Sequence, residues 1–163
     1  MTTPSFEVAS RIIQAEYQRL CNFFGLIPVP LDVYICDTEN TQDFTALGFP
    51  IAQGAAAYSG TRRLMAVPLA PGDPLPSTIP DFPPRVWNTR SDEWPTWRLD
   101  VWHEVVHQVS NDILKAWDLK EPGRSRERGR SDPGHGVGWF QGIQHVAAHF
   151  SVDADALDLL LDQ

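Results

Sequence analysis

The sequence predicts a single α+β domain in which helices cover one face of a small, mostly antiparallel sheet. Three observations carry that expectation. Apolar residues recur at helical spacing near both ends of the chain, and short β-rich runs broken by Gly and Pro fill much of the stretch between. The third is size: 163 residues, 42% hydrophobic and 21% charged, suit one core rather than two. Residues 1–163 are therefore read as one domain.

The elements follow in order. Phe6, Ala9, Ile13, Tyr17, Leu20 and Phe24 recur at spacings of three and four, which places them on one helix face. Thr3 suits the N-cap of that helix, Pro4 its first turn and Gly25 its C′ position. Asp32-Val33-Tyr34-Ile35-Cys36 reads as a short strand, followed by a polar loop to about Gly48. Ala55 to Ser59, the turn Gly60-Thr61-Arg62, and Arg63 to Val67 read as a hairpin. Residues 68–84 hold seven prolines, a density no helix or central strand tolerates, so they read as a rigid surface loop. Trp87, Trp94, Trp97 and Trp102 are placed to pack that loop onto the body.

A second helix starts near Pro95 or Thr96, with Leu99, Trp102, Val106, Val109, Ile113 and Trp117 as its apolar stripe. Residues 120–134 form a loop rich in Arg, Gly and Pro. A third helix runs from about Gly136 to Phe150 on Trp139, Phe140, Ile143, Val146, Ala147 and Phe150. Ser151 is the expected cap of a short acidic last helix carrying Leu157, Leu160 and Leu161.

Composition excludes several classes of function. No apolar run reaches the roughly 18 residues of a membrane span, and the first residues lack the pattern of a secretory signal, so a cytoplasmic protein is expected. Cys21 and Cys36 are too few for a disulfide framework or a four-cysteine zinc ribbon. A net charge of −8 argues against a surface that grips nucleic acid as a whole. The charge is unevenly spread, however. Arg124, Arg126, Arg128 and Arg130 concentrate in the basic loop and are the candidate contacts for DNA or an acidic partner, against the plainer reading of a solvated loop.

The chemistry lies in the second helix, where His103-Glu104-Val105-Val106-His107 forms the HExxH pattern. Side chains four apart on a helix stand one turn above each other, so two imidazoles can converge on one Zn²⁺. Glu104 is rotated by about 100° from His103 and is better placed to take a proton from water than to ligate. With 5 His and 7 Glu in the chain, composition alone gives roughly 0.007 such matches. The His pair sits at the border of the apolar stripe, where cleft-lining residues belong.

A catalytic zinc takes three protein ligands and leaves a fourth position open. Three and six residues after His107, where a metzincin carries Gly and His, this chain has Ser110 and Ile113, which excludes that class. Glu121 and Glu127 lie in the Pro/Gly/Arg-rich loop rather than on a downstream helix. The alternatives are His135, at the mouth of the third helix, or the pair His145 and His149. That pair points away from the apolar face of its helix, and His145 lies about 15 Å along the helix from His135, too far to share an ion with it. Tyr58, which could polarise a substrate carbonyl, reads more simply as strand packing.

Together, HEVVH at 103–107 and HGVGW at 135–139, with the hairpin before the active helix, resemble the SprT-like zinc metallopeptidase domain. Its pattern is HExxH followed downstream by HGxxF or HGxxW. The resemblance spans roughly Phe6 to Phe150, with 27 residues between His107 and His135 and no C-terminal zinc ribbon. It implies a zincin-like fold, zinc held by His103, His107 and His135, Glu104 as general base, and protein substrates, including proteins bound to DNA. A different class is also open: a zinc-stabilised, non-catalytic module that recruits nucleic acid or protein through the basic loop. A glutamate beside the metal favours the enzyme.

Overall fold

A computed structural model describes residues 5–35, 44–46, 49–51, 56–70, 73–87, 93–116 and 136–161. The Thr3 and Pro4 capping positions, Cys36, Trp117, His135 and the whole basic loop with Arg124, Arg126, Arg128 and Arg130 lie outside the described residues.

Helix α1 spans Phe6–Phe24. Its N-cap is Ser5, two residues beyond the expected Thr3: the Ser5 hydroxyl accepts from the Val8 N–H at 3.1 Å. It ends as expected on Gly25, whose φ of 73° is the left-handed conformation that a residue without Cβ adopts at little cost. Strands β1 (Leu31–Ile35), β4 (Ala57–Ser59) and β5 (Leu64–Leu69) form a sheet in the order β1-β5-β4. A separate antiparallel hairpin, β2 (Phe44–Ala46) with β3 (Phe49–Ile51), lies where a loop was expected.

The sheet differs from the mostly antiparallel expectation. The β4–β5 hairpin is antiparallel, but the longer ladder, five residue pairs from Leu31↔Met65 to Ile35↔Leu69, is parallel. A tight turn can join only antiparallel neighbours, so the sequence signal was blind to a partner arriving by a long connection. A second correction concerns Pro68, which belongs to the central strand and pairs with Tyr34. Among the described residues the β4 ladder ends at Ala66, so β5 has a neighbour on one side only at Pro68, and a missing N–H is tolerated there.

Helix α2 (Thr96–Gln108) runs on into a single π turn, Val109–Ile113. Helices α3 (Val137–Phe150) and α4 (Ala154–Leu161) complete the chain. Ser151 does not cap α4. It closes α3 in the left-handed region with φ 56°, and Asp153 caps α4 through a 2.9 Å bond from the Ala156 N–H.

One apolar core holds these elements together. Val33, Met65, Val67 and Leu69 on one sheet face meet α1 and α2, while Leu157, Leu160 and Leu161 of α4 and Ile143 and Val146 of α3 close over the rest. Tyr34 and Ala66 face the other side, with Ala57 and Leu64 packed on them. The tryptophans do what their spacing suggested. Trp87, Trp94 and Trp102 stand 5.0–5.9 Å apart edge to face, and Phe82 of the proline-rich segment lies 6.2 Å from the Trp102 ring of α2.

Inside this core lies a charge cluster that the sequence reading missed. Glu16 and Arg98 are both fully buried. The Glu16 carboxylate accepts from the guanidinium groups of Arg98 and Arg19 and, at 3.1 Å, from the Trp102 indole. Arg98 donates onward to the carbonyls of Glu93 and Asp81, each at 2.8 Å. The signal was present: Glu16 stands three from Ile13 and four from Leu20, on the apolar face of its own helix. A charge there needs a buried partner.

Candidate metal centre

Helix α2 is buried on most of its circumference, and its position decides how the HExxH side chains are presented. Leu99, Trp102, Val106 and Val109 are buried against the sheet and helices. His103 and His107 lie with Thr96 and Asp100 on the one face of α2 that is not buried and are themselves half-buried, whereas Glu104 is buried at 5% exposure. The two imidazole rings lie 5.1 Å apart. One ligand atom from each of His103, Glu104 and His107 falls within 4.8 Å of the others, and no other His, Cys, Asp or Glu group among the described residues does so.

The orientation of His103 is set from outside its helix. Its Nδ1 lies 2.7 Å from the backbone carbonyl of Leu161, on the last turn of α4. A carbonyl can only accept, so Nδ1 carries a proton, and in the neutral ring the lone pair is on Nε2. Nε2 lies 4.0 Å from Oε2 of Glu104. Two imidazoles and a carboxylate so grouped form a donor set suited to zinc or a similar borderline cation.

Trp139 of α3 covers the pair, its ring 5.3 Å from His103 and 5.9 Å from His107. Two glycines one turn apart allow that approach. A Cβ on Gly142 would meet the Val106 carbonyl oxygen at 2.9 Å, and one on Gly138 would meet the Ala116 carbonyl oxygen at 2.2 Å. The Ser110 hydroxyl adds a 2.8 Å bond to the Gly138 carbonyl. Helix α3 therefore lies backbone to backbone against α2 and against Ala116 just past the π turn, and the bulky indole between the two glycines reaches the histidines.

Beyond His107 the π turn inserts one extra residue, and the bond from Leu114 N–H to Val109 O at 3.1 Å closes it. A regular helical stripe had been expected through Ile113. The widened turn carries Asn111 and Asp112 to the β4–β5 hairpin, where Arg63 forms a two-pronged ion pair with Asp112 at 2.6 and 2.9 Å. Although burial raises the Asp112 pKa, the hydrogen bonds from Arg63, Gln108 and Asn111 outweigh it and hold the carboxyl below its usual range. Tyr58 belongs to this cluster. Its hydroxyl accepts from Arg63 at 3.1 Å and Asn111 at 3.2 Å, and burial, with the Asp112 charge second, pushes it up to about 12. It joins the sheet to the π turn that follows α2.

His145 and His149 do not join the HExxH group. Their rings stand 4.5 Å apart and lean on the end of α1, His149 lying 5.8 Å from Phe23 and 5.2 Å from Phe24. His149 is exposed, as expected of a solvent face, but the aromatic end of α1 leaves His145 half-buried. Cys21 is a buried thiol, and burial pushes it up to about 11, which leaves it little thiolate for reaction. No described helix is long and apolar enough to cross a membrane. No family model, curated protein or solved structure matches this chain.

Proposed function

We propose that the chain is a zinc-dependent metallopeptidase of the SprT-like, zincin-like kind, acting on protein substrates in the cytoplasm. The observation that supports this most directly is the grouping of His103, Glu104 and His107 within 4.8 Å on one helix, at the border of the core. His103 and His107 would hold the ion through ring nitrogens, and His135 is the proposed third ligand. Zinc bound there would polarise the scissile carbonyl and acidify the attacking water.

The remaining work falls to the chain itself. Glu104, largely screened from solvent, takes a proton from the attacking water and delivers it to the leaving amine. Trp139 shields one side of the imidazole pair, and the Leu161 carbonyl keeps the His103 lone pair on Nε2. The basic loop with Arg124, Arg126, Arg128 and Arg130 is a separate proposal: a contact for DNA or an acidic partner, whose affinity would fall steeply with salt.

The test compares wild type with Glu104→Gln in zinc content and proteolysis. The amide keeps the size of the side chain but takes up no proton at neutral pH. Zinc is expected to stay at about one per chain, while cleavage drops by roughly 10²–10⁴-fold. Equal cleavage by the variant would remove the general base. Bound zinc with no cleavage of denatured, peptide or DNA-bound proteins by wild type would favour a zinc-stabilised binding module instead.

A further inference from the structure

We propose that α4 is the positioning element of the metal centre, acting through the Leu161 carbonyl on His103; this rests on the metal-centre reading above. The last carbonyls of a helix have no partner within it. Leu161 is the last residue of α4, and its carbonyl is met by the His103 Nδ1–H at 2.7 Å. The acceptor is held firmly, because Leu157, Leu160 and Leu161 are 0–3% exposed in the core. Helix α4 also points its C-terminal end at the imidazole, and that end carries partial negative charge. The hydrogen bond leaves the lone pair of the neutral ring on Nε2, and the partial negative charge favours a cation bound there.

The coupling runs both ways. A carbonyl that fixes the ring in its ligating orientation strengthens metal binding, and a bound metal must strengthen the docking of α4 by the same free energy. A short acidic helix remote in sequence from HExxH thus becomes part of the site. Its contribution is a backbone oxygen, so no side-chain motif announces it.

The experiment uses the full chain with three substitutions. Asp162→Pro pushes the preceding Leu161 out of helical ψ and turns its carbonyl away. Asp162→Ala controls for the lost charge, and Leu161→Ala keeps the carbonyl while thinning the packing that holds it. Two readouts are taken: the His103 tautomer in the metal-free protein by side-chain ¹⁵N NMR, and zinc affinity by competition with a chromophoric chelator. Wild type is expected to show the Nδ1–H tautomer. Asp162→Pro should lose that single tautomer and bind zinc roughly 10–100-fold more weakly, while Asp162→Ala keeps the tautomer and an affinity close to wild type and Leu161→Ala keeps the tautomer with an affinity between the two. An Nε2–H tautomer in metal-free wild type would overturn the proposal without any variant. So would a folded Asp162→Pro protein that keeps the tautomer or the full zinc affinity. The two readings fail separately: a wild type with Nδ1–H but no affinity for zinc ends the metallopeptidase reading and leaves the α4 contact standing.

Discussion

Replacing the contact glycines of α3 by alanine sets two effects of opposite sign against each other, and the geometry decides between them. In an exposed helix interior, Gly→Ala stabilises by about 1 kcal/mol. At Gly138 the new Cβ would stand 2.2 Å from the Ala116 carbonyl oxygen, and at Gly142 2.9 Å from the Val106 carbonyl oxygen and 3.0 Å from Val106 Cγ1. Neither carbonyl can swing aside as a flexible side chain would, so α3 must retreat, by roughly 1 Å at Gly138 and a few tenths of that at Gly142 if contacts near 3.2 Å are to be restored. Overpacking a tight contact costs about 1–3 kcal/mol and sometimes more. The propensity gain is smaller than that cost at Gly138 and nearly balances it at Gly142. Gly138→Ala should therefore lower stability by about 1–2 kcal/mol, a Tm drop of roughly 2–8 °C for a domain of this size. Gly142→Ala should fall within about 1 kcal/mol of wild type. Retreat of α3 also moves Trp139 off the imidazole pair, so Gly138→Ala should bind zinc more weakly. Urea melts with a constant m-value and a chelator competition measure both quantities. A Gly138→Ala protein more stable than wild type would show that α3 does not lie backbone to backbone against the segment at Ala116.

Three further outcomes are expected. Glu16→Gln leaves the buried Arg98 charge without its carboxylate and should destabilise by about 3–5 kcal/mol in a denaturant melt, whereas joint replacement of Glu16 and Arg98 by apolar residues should cost much less than the two singles combined; additive losses would refute the pairing. Asp112 has a lowered folded-state pKa, so its ionised form contributes stability that is present at neutral pH and fades as pH falls below about 4. Asp112→Asn should flatten stability against pH in that acid range, and an unchanged acid limb would contradict the Arg63 pairing. His103→Ala, His107→Ala and His135→Ala should each lose most of the zinc measured by metal analysis, while His145→Ala and His149→Ala should not; the reverse pattern for His135 and His145 would reassign the third ligand.

Much of this protein is written locally. Periodicity marks α1 and α3, because burying one stripe of a helix leaves a repeat of three and four that needs no knowledge of its partner, and α2 carries such a repeat although most of its circumference is buried. Gly25 is legible for the same reason: a left-handed helix end is a property of the residue itself. HExxH is legible because both imidazoles stand one turn apart on one helix. The tertiary structure decided what depends on residues far apart in the chain. The parallel β1–β5 ladder arises from a long connection that carries no turn signal. The Glu16–Arg98 pair joins positions 82 residues apart, and neither charge names the other. The π turn is written in no periodicity; the regular stripe through Ile113 had hidden it. The setting of His103 comes from the Leu161 backbone 58 residues away, and a carbonyl is common to every residue type. Side-chain patterns thus disclose which groups are offered for chemistry, whereas the backbone contacts that orient them exist only once the helices have packed.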